Sequence, residues 1–168
     1  IYEQHLGPLH AHTADCLAGL AALSLKLGKD GQAEALVLRA LRIHEEHLGS
    51  FHPYTANDLA ILATLYRNQG KYADAEPLFL RALNINAQAY VSTHPQAATA
   101  LYEFALLRQA QGHNEEARSL YERALAARTH TLGATHPLTI ETHQRLVALL
   151  DRTEEAAPSE EAQAERST

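Results

Sequence analysis

The sequence predicts an all-α fold, an α-solenoid of antiparallel helix pairs with about seven helices. One observation is an internal repeat, because residues 6–47 and 48–89 agree at 20 of 42 positions. Another is that histidine and glycine recur at this 42-residue spacing, at His10, His52, His94 and His136 and at Gly28, Gly70 and Gly112. A period of this length is typical of one supersecondary unit stacked on copies of itself. We therefore expect an extended surface rather than one enclosed site.

The repeat register sets the domain boundaries. Residues 1–5 match residues 43–47 in part, so we interpret them as the end of a preceding repeat's second helix and the chain as a fragment of a longer array. The predicted boundaries are 6–47 for repeat one, 48–89 for repeat two, 90–131 for repeat three and 132–152 for a C-terminal capping helix. Residues 153–168 contain five Glu and no large apolar residue, which predicts a disordered acidic tail.

Each full repeat has the pattern of two amphipathic helices joined by a glycine turn. In repeat two, Pro53 suits a first helical turn, and Gly70 is expected to end that helix in the left-handed conformation. The second helix is expected from Ala73 to about Gln88. The apolar positions of the first helices at helical spacing are Leu59, Leu62, Ala63 and Tyr66 in repeat two, Leu17, Leu20 and Ala21 in repeat one, Leu101, Phe104 and Ala105 in repeat three, and Ile140, Leu146, Val147 and Leu150 in the last helix. In the second helix of repeat two they are Ala75, Leu78, Phe79, Ala82, Leu83 and Ile85.

This pattern resembles the tetratricopeptide repeat (TPR). The match is clearest at Leu59, Leu62, Ala63, Tyr66, Gly70, Ala75, Phe79 and Ala82. The 42-residue length and the connector Leu-Gly-Ser-Phe-His-Pro-Tyr-Thr at residues 48–55 are similar to the kinesin-light-chain type of repeat. The resemblance implies a right-handed superhelix that binds proteins or peptides along its concave face, without catalysis.

A candidate binding surface lies opposite the packing face of the first helices. At 100° per residue, the polar residues of this arc in repeat two point about 140° away from the packing face and into the expected groove. The predicted partner-binding residues are Asp15 and Lys26 in repeat one, Asn57, Thr64, Arg67 and Asn68 in repeat two, Thr99, Tyr102, Leu106 and Gln109 in repeat three, and Glu141 and Gln144 in the last helix. Amides and hydroxyls suit an extended peptide backbone, and Tyr102 and Leu106 are expected to receive an apolar anchor. The alternative is that these residues form only a solvated helix face.

Composition and charge argue against several other classes of partner. The net charge is −6, but residues 1–152 carry 13 Lys/Arg against 15 Asp/Glu and show no basic stripe. This distribution argues against nucleic acid and against an anionic membrane surface. No apolar run approaches the ~20 residues that span a bilayer. The single cysteine, Cys16, favours a reducing compartment, so we expect a cytoplasmic location.

The sequence offers little support for metal or catalytic chemistry. Histidines in repeat register lie on helices ~8–10 Å apart, whereas zinc needs ligand atoms at ~2 Å. We interpret these histidines as residues that cap the following helix or pack against the connector. Cys16 lies beside Asp15 and one turn from His12, but a bare helix offers no oxyanion hole. We therefore predict no enzyme activity, no catalytic or metal-binding residue and no cofactor.

Three functional interpretations remain open at this point. The leading one is a scaffold that binds a protein or an extended peptide in its groove, as part of a larger protein. A second is a regulatory sensor arm of a multidomain signalling ATPase. A third is a self-assembly module in which the ends of the array bind other copies.

Overall fold

The computed structural model describes residues 11–89 and 95–156, which form seven helices. Their bounds are α1 Ala11–Lys26, α2 Asp30–His47, α3 Pro53–Asn68, α4 Tyr72–Ala89, α5 Pro95–Ala110, α6 Asn114–Leu132 and α7 Pro137–Ala156. The predictions for residues 1–5, His10, His94 and residues 157–168 lie outside this described part. None of the seven helices is long and apolar enough to cross a membrane.

The helices pack as three antiparallel pairs followed by one further helix. Contacts are most extensive within the pairs α1–α2, α3–α4 and α5–α6, and α2–α3, α4–α5 and α6–α7 join one pair to the next. The first helices also contact each other, α1 with α3 and α3 with α5. No contact of that extent joins α2 to α4 in the described ranges. The first helices therefore form the inner, concave side of the stack, and the predicted α-solenoid of seven helices is confirmed.

The predicted packing face of repeat two is buried. Leu59 and Ala63 on α3 are 0% exposed, and so are Phe79 and Ala82 on α4. The small residues Ala63 and Ala75 share a core with Phe79. Because alanine occupies little space between the helices, α3 and α4 pack closely while the larger side chains fill the gaps between repeats.

The ends of the described stack expose apolar residues that the sequence placed on packing faces. Leu20 on α1 is 51% exposed, whereas Leu62, at the same register position in α3, is 4% exposed because it packs against Val37 of α2. Ile140 and Val147 on α7 are 43% and 41% exposed. The expectation that these three side chains are packed is wrong for the described residues, because no described helix covers the outer side of α1 or α7.

The last helix is longer than the sequence predicts. The expected end is at about Arg152, but α7 continues to Ala156. Residues 153–156 contain neither glycine nor proline, and Glu and Ala favour helix. The first proline after them is Pro158, which lies beyond the described helix. Four residues assigned to the acidic tail therefore extend the capping helix instead.

The connectors between repeats carry the caps that the sequence predicts. The side chain of His52 accepts a hydrogen bond from the backbone N–H of Tyr54, at 3.3 Å, and caps the start of α3. His136 does the same for Leu138 at the start of α7, at 3.2 Å. These bonds satisfy backbone donors that have no partner within a helix. The interpretation of His52 and His136 as capping residues is confirmed.

The turn inside repeat two depends on a left-handed glycine. Gly70 has φ +74°, as predicted, and a Cβ atom there would meet no atom within 4 Å. Gly70→Ala is therefore expected to cost only the backbone strain, about 1–2 kcal/mol in the free energy of unfolding. Urea denaturation followed by circular dichroism measures this loss.

The control is Gly19→Ala, because Gly19 lies inside α1 and its Cβ also meets nothing within 4 Å. Alanine at this helical position is expected to stabilise the protein by about 0.5–1 kcal/mol. Equal urea midpoints for the two variants would contradict the strain that we assign to Gly70.

Candidate functional site

A pocket lies on the concave side, where α1, α3 and α5 come together. Its volume is about 480 Å³, and its walls are mostly apolar, with Ala22, Leu25 and Ile61 among them. Six of the twelve predicted partner-binding residues line it: Lys26, Asn57, Thr64, Arg67, Asn68 and Thr99. The first helices thus bring polar residues from three repeats to one concave surface.

The other six predicted residues lie outside this pocket. The Asp15 carboxylate is 3.4 Å from the Nε2 atom of His44, and Gln109 accepts a hydrogen bond from the Tyr121 hydroxyl at 2.9 Å. Leu106 is half-buried against the core formed by α5 and its neighbours. The remaining three are Tyr102, Glu141 and Gln144, of which the last two are exposed. The pocket therefore contains predicted residues from repeats one to three and none from the last helix.

Tyr102 is buried rather than open to a ligand. It is 4% exposed, and its hydroxyl donates a 2.8 Å hydrogen bond to Glu141 of α7. The Arg128 guanidinium lies over its ring, 4.5 Å from the centroid. Burial, with the Glu141 hydrogen bond, raises the pKa of Tyr102 to about 12. The expectation that this ring is an open apolar anchor is corrected, because Tyr102 instead joins α5 to α7 and packs against α6.

An ion pair crosses the pocket wall between neighbouring repeats. Arg67 on α3 donates a 2.9 Å hydrogen bond to Glu103 on α5, and both residues line the pocket. Burial raises the pKa of Glu103 above its ordinary value, although the positive charge of Arg67 opposes that shift. Glu103 is not among the predicted residues, because in a helical projection of α5 it falls outside the arc formed by Thr99, Tyr102, Leu106 and Gln109. The charge of Arg67 is thereby partly neutralised at the groove.

Polar residues also recur in the interior, at one position of each second helix. They are His44 on α2, Asn86 on α4 and Arg128 on α6, and they lie 42 residues apart and are 1%, 3% and 3% exposed. Sequence reasoning did not identify this register, although three polar residues at the repeat spacing were its signal. In two of the three cases the side chain contacts the residue fourteen positions later, on the next first helix.

Two of these three residues have a partner at that position. The Nδ1 atom of His44 is 2.6 Å from a carboxylate oxygen of Asp58, and Arg128 donates a 2.7 Å hydrogen bond to Thr142. Burial raises the pKa of Asp58, although His44 opposes the shift. Fourteen residues after Asn86, at the register position of Asp58 and Thr142, the residue is Ala100, whose side chain offers no polar group.

The described residues offer little support for a metal site or for a nucleophilic cysteine. In residues 11–89 and 95–156, no group of three or more His, Cys, Asp or Glu side chains is placed to hold a metal ion. Cys16 is an exposed free thiol on α1. The geometry of the concave face suits binding, because it offers apolar walls and several amides and hydroxyls.

Comparisons with known proteins agree with this architecture. The tetratricopeptide repeat family matches residues 13–88, 54–130 and 96–166. The structure of a Podosopora anserina putative kinesin light chain with nearly identical TPR-like repeats is 26% identical and superposes with a TM-score of 0.73, over 83% of this chain and 66% of that one. A variant of the same Podosopora anserina protein gives 26% identity and a TM-score of 0.72, with the same coverage.

A more distant structure shows the same fold. BtubC (BKLC) from P. vanneervenii is 22% identical, with a TM-score of 0.72 over 84% of this chain and 56% of that one. The chain thus spans less than two thirds of the length of these structures. No curated protein matches the sequence.

Proposed function

This chain belongs to the tetratricopeptide repeat family, and from that premise we propose that its concave groove binds an extended segment of a partner protein. The family and the kinesin-light-chain-like fold support a protein-interaction scaffold in general. The finer proposal rests on the pocket between α1, α3 and α5, where residues of three successive repeats meet. A ligand that contacts all three repeats at once has to be elongated along the stack.

The composition of the pocket suits a polypeptide. Its apolar walls can bury a side chain, while Asn57 and Thr99 are partly or fully exposed and available to a peptide backbone. Lys26 is exposed at the same surface, and the other basic residue, Arg67, is paired with Glu103. We therefore expect a largely uncharged segment, with acidic residues tolerated next to Lys26.

Selection from a phage-displayed peptide library tests this proposal. Selected peptides are measured by fluorescence anisotropy against the parent protein and against the groove variant Lys26→Ala, Asn57→Ala, Asn68→Ala. Because residues at the centre of an interface carry most of the affinity, we expect the groove variant to bind about tenfold or more weakly, a loss of about 1.4 kcal/mol.

The control carries Arg42→Ala and Arg123→Ala, two exposed residues of the second helices α2 and α6. It should bind the selected peptides with unchanged affinity. Selected peptides that lose affinity only in the Arg42/Arg123 variant, or equally in both, would overturn the assignment of the groove.

The two other interpretations stay predictions. A sensor arm of a signalling ATPase depends on domains outside this chain. Self-association through the ends has one observation in its favour, since Leu20 and Leu23 of α1 are 51% and 53% exposed. Sedimentation velocity over a range of concentrations tests it, and a monomer at every concentration would exclude it.

A further inference from the structure

The side-chain oxygen of a buried amide at the groove has no hydrogen-bond partner among the described residues. Asn86 is 3% exposed, and its Oδ1 atom accepts no hydrogen bond from any residue of the described ranges. The same side chain lines the pocket between α1, α3 and α5. Since a buried acceptor without a donor destabilises the folded state, this oxygen is suited to a donor carried by a ligand.

The repeat register shows why the partner is missing here. His44 of repeat one and Arg128 of repeat three each have a polar partner on the following first helix, Asp58 and Thr142 respectively. For Asn86 of repeat two, the equivalent position on the following first helix is Ala100, which also lines the pocket. The methyl group of Ala100 can neither donate nor accept a hydrogen bond. The Oδ1 atom of Asn86 is therefore left without a partner at the pocket.

The surroundings favour a neutral ligand group at this point. An ammonium or guanidinium group would meet no free carboxylate among the described lining residues, because Glu103 is already paired with Arg67. A carboxylate carries no N–H to donate to the Oδ1 atom of Asn86. A primary carboxamide is neutral and also carries an N–H. Its N–H can donate to the Oδ1 atom of Asn86, and its own oxygen can accept from the Asn86 side-chain NH₂ group. Methylene groups before the carboxamide would contact apolar residues such as Ile61.

We propose that the pocket at Asn86 and Ala100 is a specificity subsite for the side chain of a glutamine in the bound polypeptide. This inference rests on the proposed peptide-binding function and deepens it. Glutamine combines a neutral carboxamide, which can pair with the Asn86 amide, with two methylene groups that can contact the apolar walls of the pocket.

Binding of matched peptides tests the subsite. The probes are N-acetylated pentapeptides Ala-Leu-X-Leu-Ala with a C-terminal N-methylamide, where X is Gln, Met or Glu, so that only the Gln peptide carries a primary carboxamide. Titration is followed by ¹H–¹⁵N NMR at the side-chain amide of Asn86 and the backbone amide of Ala100. We expect the Gln peptide to bind at least about fivefold more tightly than the other two, because a site built to hydrogen-bond a group rejects analogues that lack it.

Two variants separate this inference from general peptide binding. Asn86→Leu removes the acceptor with a side chain of similar size and should abolish the preference for Gln over Met. Ala100→Thr supplies a hydroxyl, as Thr142 does in the next repeat, and should both abolish the preference and raise the thermal unfolding midpoint without peptide. Thr is accommodated at the equivalent position, where Thr142 is 0% exposed.

The failures of the two proposals are distinguishable. Equal binding of the three pentapeptides by the parent protein, or a Gln preference that survives both variants, overturns the subsite, while peptides from the library selection still report on the groove. Binding of neither the pentapeptides nor any selected peptide overturns both.

Discussion

Asp58→Ala is expected to lower the free energy of unfolding by about 3 kcal/mol or more, because it breaks a buried ionisable pair by removing one partner. Asp58 is 0% exposed and His44 1% exposed, and their nearest side-chain atoms are 2.6 Å apart. Without the carboxylate, the Nδ1 atom of His44 is left in the interior between two repeats. Urea denaturation measures the loss.

The chain supplies both a control and a rescue for this prediction. Thr142→Ala removes the equivalent partner of Arg128, but Arg128 keeps its 3.0 Å hydrogen bond to the carbonyl oxygen of Leu138, so the expected cost is about 1–2 kcal/mol. The double variant His44→Asn, Asp58→Ala copies the Asn86–Ala100 pair of the next repeat. It should recover part of the stability, and a double variant less stable than Asp58→Ala would contradict the equivalence of these positions.

Phe79→Ala is expected to destabilise the protein by about 3–5 kcal/mol, the range for removing a buried aromatic ring. Phe79 on α4 is 0% exposed, and its ring centroid is 5.8 Å from that of Phe104 on α5. The lost ring lies between two repeats, so the cavity weakens the contact that stacks repeat three on repeat two. The urea midpoint and the thermal midpoint should both fall.

A phenylalanine on the surface provides the matched control. Phe51 in the connector before α3 is 67% exposed. Phe51→Ala is therefore expected to change stability by no more than about 0.5 kcal/mol. Similar losses for Phe51→Ala and Phe79→Ala would show that the described packing of α4 is wrong.

The sequence predicted the fold well because the repeat carries redundant information. The helix-ending role of Gly70 and the burial of Leu59 and Phe79 each follow from a local pattern that recurs in the other repeats. The exposure of Leu20 could not be inferred from that pattern. It depends on whether a neighbouring helix covers the position, and periodicity treats every copy as if it had both neighbours.

The candidate site was predicted only in part, for a similar reason. Asn57 and Arg67, which the helical arc assigns to the groove, both line the pocket, because their position depends on the geometry of a single helix; their role in binding a partner stays a prediction. It misplaced Tyr102, whose burial depends on Arg128 and Glu141 from two other helices. It also omitted Asn86, because the candidate arc was drawn on the first helices alone and Asn86 lies on α4. Contacts between side chains of different helices cannot be inferred from the projection of a single helix.

The bonds from Arg67 to Glu103 and from Tyr102 to Glu141 connect successive first helices across the concave side. They fix the positions of α3, α5 and α7 relative to one another. A preorganised surface loses little conformational entropy on association, so more of the contact energy is retained as affinity. In the proposed peptide complex, removing the Tyr102–Glu141 hydrogen bond, which lies outside the pocket, should therefore weaken binding without removing a pocket contact to the peptide.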